Sequence, residues 1–167
     1  YMRAYPLTLR LVGPNANDGF ASWKRAFTMD FGLVTRHPTT DNYVPWMATH
    51  WSVQDDKRTL YFKLDPDARW NDGKPVTATD YVHTLHMMQS ENIVDPFYNQ
   101  YAAEHYEEVV AIEPYLLKIV GKFESWRPLD MFGLWATPAH AVTLEEGFPK
   151  RYNTTVLPVQ GPYVLSE

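Results

Sequence analysis

The sequence predicts a mixed α/β fold in which β-hairpins pack against short helices. Two pairs of segments alternate apolar and polar residues and are joined by short polar turns, which is typical of hairpins. A further segment opens with a capping motif and continues with apolar residues at helical spacing, which indicates an amphipathic helix. The 167 residues are 45% hydrophobic and 21% charged, as in a folded globular chain.

The first predicted elements are a strand and a helix. Residues 7–12 alternate apolar and polar side chains, and residues 20–31 place aromatic side chains at helical spacing before Gly32. Residues 33–41 contain a proline and several small polar residues, so we predict a loop there.

Two hairpins and a helix follow. The first hairpin is predicted from strands at 51–54 and 59–64, and the second from strands at 106–112 and 116–123. One face of the first hairpin is expected to be buried through Trp51, Val53, Leu60, Phe62 and Leu64.

The helix between these hairpins begins at Thr77-Ala78-Thr79-Asp80, a capping box with Asp in place of Glu. It is expected to run to about Ser90, with Tyr81, Leu85 and Met88 on one face. Turn residues surround Trp70, which is expected to be exposed. A short helix is predicted at 129–135, and a final strand starts at Gly161-Pro162-Tyr163.

Charge and composition exclude several classes of protein. The net charge is −5 and the basic residues are scattered, so no nucleic-acid partner is expected. The absence of cysteine excludes disulfides and thiolate chemistry. Apolar runs such as 109–112 are too short to cross a bilayer. The first residues contain no signal-peptide core, and position 1 is Tyr, so we expect a processed or excised N-terminus.

Three blocks of sequence resemble one known family. They read YVPWMATHWSV at 43–53, TLYFKL at 59–64 and ARWNDGKPVTATDYV at 68–82. In this order they are similar to the signature of family 5 extracellular solute-binding proteins, the dipeptide, oligopeptide and nickel-binding components of ABC importers. Gly161-Pro162-Tyr163 resembles the family's G-x-G-P-Y segment, although Val159 stands where the first glycine is usual.

The resemblance implies a fold and a function. Family members are much longer than this chain and close two lobes over a ligand, so residues 1–167 are expected to form part of the first, N-terminal lobe, without the second. The implied function is capture of a peptide or modified-peptide ligand for an ABC importer permease. The implied location is the periplasm, or a lipid-anchored extracellular position. No cofactor is implied.

Four residues are candidates for ligand contact. Tyr98 and Tyr101 lie in a segment where, by resemblance, aromatic side chains face the cleft, and Trp126 follows the second hairpin in a similar setting. Arg36 lies in the predicted loop and has the chemistry to bind a carboxylate or phosphate. Packing in the lobe core is the alternative for the aromatic residues, and a solvated loop cation is the alternative for Arg36.

Two other functions are alternatives. His83 and His86 stand at i and i+3 on the capped helix, but no neighbouring residue offers a third ligand at matching spacing, so no metal site is expected. A ligand-sensing domain of a transcriptional regulator is the other alternative, because some regulators carry a domain of this family. The sequence lacks G-x-S-x-G, H-E-x-x-H and G-x-x-x-x-G-K-[ST], so an enzyme is not expected.

Overall fold

The computed structural model describes residues 31–92, 96–152 and 157–160. The strand predicted at 7–12, nearly all of the helix predicted at 20–31 and the final strand predicted from Gly161 lie outside these residues.

Within the described residues, hairpins and short helices alternate along the chain. The strands are β1 (Val34–Arg36), β2 (Tyr43–Pro45), β3 (Ala48–Val53), β4 (Thr59–Leu64), β5 (Tyr106–Glu113) and β6 (Leu116–Gly121). The helices are α1 (Ala78–Gln89), α2 (Pro96–His105), α3 (Pro128–Met131) and α4 (Phe148–Tyr152). The predicted mixed α/β fold class is confirmed.

The central layer is a four-stranded antiparallel sheet in the order β3-β4-β6-β5. It joins the two predicted hairpins, because β4 of the first pairs with β6 of the second, with Leu60 opposite Ile119. Alternation along β4 and β6 buries one face of each strand, and that face carries Leu60, Phe62, Leu64, Leu117 and Ile119. Helix α1 covers this face with Tyr81, Leu85 and Met88, as predicted.

Helix α1 begins at the predicted capping motif. The Asp80 carboxylate accepts a hydrogen bond from the Thr77 backbone N–H at 2.8 Å, which satisfies one donor at the start of the helix. Its other oxygen accepts the Ala139 backbone N–H at 2.9 Å. Asp80 therefore connects the helix start to the loop that follows α3.

The structure corrects the prediction of a loop at 33–41. Val34–Arg36 forms strand β1, which pairs with β2 in a third hairpin, with Arg36 opposite Tyr43. Hydrogen bonds from the His37 N–H to the Asn42 carbonyl and from the Asp41 N–H to the His37 carbonyl close the turn. Three residues are too few for alternation to be detected, so the turn residues dominated the sequence pattern.

Three further predictions are wrong in detail. Val53 is 37% exposed because it is the last residue of an edge strand, β3. Trp70 is only 2% exposed, because the following turn folds back and bonds to its backbone on both sides, through Lys74 and Gly73. The helix predicted at 129–135 is the single turn Pro128–Met131, after which Phe132 enters the core.

Candidate functional site

A surface pocket of about 500 Å³ lies where three connecting segments meet. These are the β1–β2 turn, the β3–β4 turn and the segment between β6 and α3. Hydrogen bonds hold the last two together, since the Ser125 N–H donates to the Lys57 carbonyl and the Gly121 N–H to the Arg58 carbonyl. The lining residues are Arg36, Asp41, Tyr43, Val53, Lys57, Ser125, Trp126, Arg127, Pro128 and Leu129.

Two arginines in this pocket converge on one carboxylate. Arg36 makes a two-pronged contact with Asp41, Nη1 to Oδ1 at 2.9 Å and Nη2 to Oδ2 at 3.2 Å. Arg127 approaches the same Asp41 Oδ2 through Nη2 at 3.4 Å. Asp41 stands in the left-handed region, with φ of 60°, and its side chain is 62% exposed. An exposed acid at the tip of a turn therefore bridges two cations from distant parts of the chain.

A second acid, Asp130, contacts both arginines. Asp130 on α3 lies 3.5 Å from Arg36 Nε and 3.8 Å from Arg127 Nη1. Burial raises the pKa of Tyr43, and the neighbouring Asp130 carboxylate acts in the same direction. The buried Arg36 Nε and the buried Tyr43 hydroxyl therefore share Asp130 as their neighbouring acid.

Trp126 forms the open side of the pocket. Its side chain is 81% exposed, and the Arg127 guanidinium lies 4.2 Å from the centre of its ring. This cation–π contact holds one face of the indole ring against Arg127. A large apolar side chain that is fixed in position and still exposed is typical of a binding surface.

The predicted residues Tyr98 and Tyr101 lie away from this pocket. The Tyr101 hydroxyl donates to the Met131 carbonyl at 2.8 Å, and its ring stacks on His105 at 3.8 Å. Tyr98 packs edge-on against Trp135 with ring centres 5.4 Å apart. Both side chains are half-buried. Helix α3 therefore contacts both the tyrosine segment and the pocket: Met131 accepts the hydrogen bond from Tyr101, and Asp130 pairs with Arg36.

The structure thus brings two of the four predicted residues, Arg36 and Trp126, into one pocket. Sequence reasoning missed Lys57, Asp41 and Arg127, their neighbours in space. Arg127 had a signal, since it adjoins Trp126 in Trp126-Arg127-Pro128. Lys57 and Asp41 read as ordinary turn residues, and only the tertiary fold places both turns at the same edge.

The histidine pair has a different environment. Burial lowers the pKa of His83, and His86 contributes in the same direction. Among the residues described, no group of three or more His, Asp or Glu side chains is placed to hold a metal ion. None of the described helices combines the length and the apolar character needed to span a membrane.

Two solved structures share the fold of this chain. The chain aligns over 98% of its length with 31% of NikZ from Campylobacter jejuni, crystallised with Ni(L-His), at a TM-score of 0.72 and 16% identity. It aligns over 96% of its length with 34% of the murein tripeptide binding protein MppA from Escherichia coli, at a TM-score of 0.72 and 22% identity. At these identities the likeness concerns the fold alone.

The family follows from the sequence comparison. The model of bacterial extracellular solute-binding proteins, family 5, middle region, matches residues 42–167. The periplasmic oligopeptide-binding protein OppA of Escherichia coli K12 is 32% identical over 122 residues, 71% of this chain and 20% of that protein. The chain therefore belongs to family 5 of the bacterial extracellular solute-binding proteins, and its match spans about a fifth of the length of OppA.

Proposed function

We propose that this protein is the solute-binding component of an ABC importer and captures a peptide or modified peptide. The observation that carries the proposal is the family match over 42–167, together with relatives named for oligopeptide and murein peptide binding. Delivery to a membrane permease and a periplasmic location, or a lipid-anchored extracellular one, are part of the same proposal. None of the relatives described above is named as a transcriptional regulator.

The chain is proposed to form part of the first lobe, with the pocket at Arg36 and Trp126 contributing ligand contacts. Trp126 offers apolar area with few rotatable bonds, which suits ligands of varied sequence. Tyr98 and Tyr101 stay predictions for ligand contact. Their half-burial leaves part of each ring accessible, while the hydrogen bond of Tyr101 to Met131 and the packing of Tyr98 against Trp135 favour a supporting role.

Binding of this kind needs no covalent step. Ligand contacts made from both lobes favour the closed state over the open one, so transport depends on a shift of population. An enzymatic function is therefore not part of the proposal, and neither is a resident cofactor.

The experiment is a peptide-binding screen on the purified protein. Pools of di- to octapeptides, a sugar pool and a lipid pool are compared by thermal shift, followed by calorimetry on the best ligands. We expect stabilisation by peptides. Trp126→Ala is expected to weaken peptide binding without lowering the melting temperature of the free protein, because the side chain is 81% exposed.

Ile112→Ala is the matched control, since Ile112 is also an exposed apolar residue, 47% exposed on edge strand β5, and does not line the pocket. It is expected to bind peptides as the unaltered protein does. Stabilisation by sugars or lipids in place of peptides would refute the proposed ligand class. Unchanged peptide affinity in Trp126→Ala would refute the assignment of the pocket.

A further inference from the structure

We propose that the pocket at Arg36 and Trp126 is a carboxylate-binding site, in which a ligand carboxylate takes the place of Asp41 against the two arginines. Lys57 adds the third cation, and Trp126 holds the apolar group next to the carboxylate. The inference rests on the proposed function only for the origin of the ligand, a peptide.

The charge of the pocket is opposite to that of the chain. The lining carries three cations, Arg36, Lys57 and Arg127, against one acid, Asp41. With Asp130 behind the arginines the local balance is still positive, while the whole chain has a net charge of −5. A positive concavity on a negative protein attracts anions to that place.

Lys57 is the cation in excess. Its residue lies in the left-handed region, with φ of 53°, at the β3–β4 turn, and its N–H bonds to the Gln54 carbonyl. Its ammonium group has no ion pair with any residue described in the structure, whereas both arginines contact acids. An incoming carboxylate therefore gains a charge partner without displacing another pair at Lys57.

Asp41 shows which anion the arginines accept. A planar carboxylate lies across the Arg36 guanidinium with two contacts, the geometry in which arginine recognises carboxylates. Its side chain is 62% exposed on a turn, and exposed ion pairs contribute little to stability, so a ligand carboxylate can displace it.

The apolar wall selects what adjoins the carboxylate. Trp126 is covered by Arg127 on one face, which leaves indole surface for a ligand group. Val53 lines the same pocket and is 37% exposed. A carboxylate next to an aromatic or branched side chain, as at a peptide C-terminus, fits this combination of cations and apolar surface.

The test uses the purified protein and two matched probes, N-acetylphenylalanine and its uncharged amide. Calorimetry at low ionic strength measures affinity, and the Trp126 indole N–H signal in NMR locates binding. We expect the acid to bind about tenfold more tightly than the amide, with the difference reduced in 1 M salt. Equal affinities of acid and amide would overturn the proposal.

Two variants test the cations and Asp41 separately. Lys57→Met is expected to weaken binding of the acid by about three- to tenfold and to leave binding of the amide unchanged. Lys63→Met is the control, because Lys63 is an exposed lysine on β4 outside the pocket, and it is expected to change neither affinity. Asp41→Asn is expected to tighten acid binding, because it removes the competing carboxylate. Weaker binding in Asp41→Asn, or no effect of Lys57→Met, would contradict the proposal.

Peptides distinguish the source of the carboxylate and separate this proposal from the proposed function. Ala-Ala-Phe is compared with its C-terminal amide and with amidated Ala-Glu-Phe; preference for the free C-terminus supports the terminal carboxylate. If peptides bind but acid and amide are equivalent in every pair, the carboxylate site is wrong and peptide capture stands. If N-acetylphenylalanine binds at Trp126 but no peptide does, the carboxylate site stands and peptide capture is wrong.

Discussion

Substitution of Gly121 by alanine is expected to destabilise the protein strongly through one contact. Gly121 ends β6 and lies under the ring of Phe132, which is fully buried. A Cβ atom at Gly121 would stand 2.2, 2.4 and 2.6 Å from three carbons of that ring. Normal carbon contacts are about 3.5–4.0 Å, so the ring must move by more than an ångström in a close-packed interior.

Two limits bracket the cost. Inserting a methyl group into a packed core costs typically about 1–3 kcal/mol when neighbours can adjust. Complete ejection of the ring would approach the loss in a Phe→Ala change, about 3–5 kcal/mol. Because the overlap is about 1 Å or more at three atoms, we expect a loss of about 3 kcal/mol in the free energy of unfolding, a large part of the stability of an ordinary domain.

Urea unfolding monitored by tryptophan fluorescence measures this loss. Gly73→Ala is the control, because Gly73 has φ of +85° and no neighbouring atom lies within 4 Å of the position that a Cβ would take there. Its cost is the backbone cost of the left-handed region alone, about 1 kcal/mol. Phe132 follows α3 directly, so Gly121→Ala is also expected to weaken N-acetylphenylalanine binding at Arg127, whereas Gly73→Ala is not.

A double-mutant cycle with Phe132→Ala decides the mechanism. If the ring is the obstacle, Gly121→Ala costs less than about 1 kcal/mol in the Phe132→Ala background, and the two changes are coupled by about 2 kcal/mol. Equal costs of Gly121→Ala in both backgrounds would refute the steric argument and indicate a backbone effect at the end of β6.

Three further predictions concern buried or paired acids and a histidine. Asp80→Ala removes the acceptor for two backbone N–H groups, of Thr77 and Ala139, and should cost about 3 kcal/mol in urea unfolding, with Asp80→Asn costing less. Burial lowers the pKa of His83, so the unfolded chain binds more protons and stability relative to His83→Gln should fall as pH drops through about 6.5; a flat difference would contradict this. The Lys74 N–H, with His140, lowers the pKa of Asp72. The unaltered protein should therefore be more stable than Asp72→Asn in thermal unfolding at neutral pH, and this difference should disappear below about pH 4.

Elements with a long period or a cap were predictable from the sequence. Helix α1 is capped by Thr77 and buries Tyr81, Leu85 and Met88 as predicted, because the capping motif and the 3.6-residue spacing are local properties. Strands β3 to β6, of six to eight residues each, were predictable because the alternation of apolar and polar residues is also a local property. Strand β1 was missed, since its three residues gain their structure from pairing with β2 and leave no pattern of their own.

Burial was less predictable than secondary structure. Trp70 lies among turn residues, and turns are usually exposed. Its ring is nevertheless buried in the core, because the turn that follows is hydrogen-bonded back to the Trp70 backbone through Lys74 and Gly73. Val53 has the right alternation for burial, but it ends an edge strand and lines the open pocket. In both cases the outcome depends on what lies above the segment, which is a property of the tertiary fold.

The pocket depends both on local sequence and on the tertiary fold. Arg36 was predicted from its loop position and its chemistry, and Trp126 from the family resemblance. They lie in one pocket although 90 positions separate their numbers in the sequence. Lys57 and Asp41 complete it, and each stands at a non-glycine position with positive φ, 53° and 60°. Such positions cost free energy and are retained where the surrounding structure requires them. Two strained turns therefore bring a lysine and an aspartate to the arginines, and the excess cation at Lys57 is the property of this arrangement that a binding measurement can test.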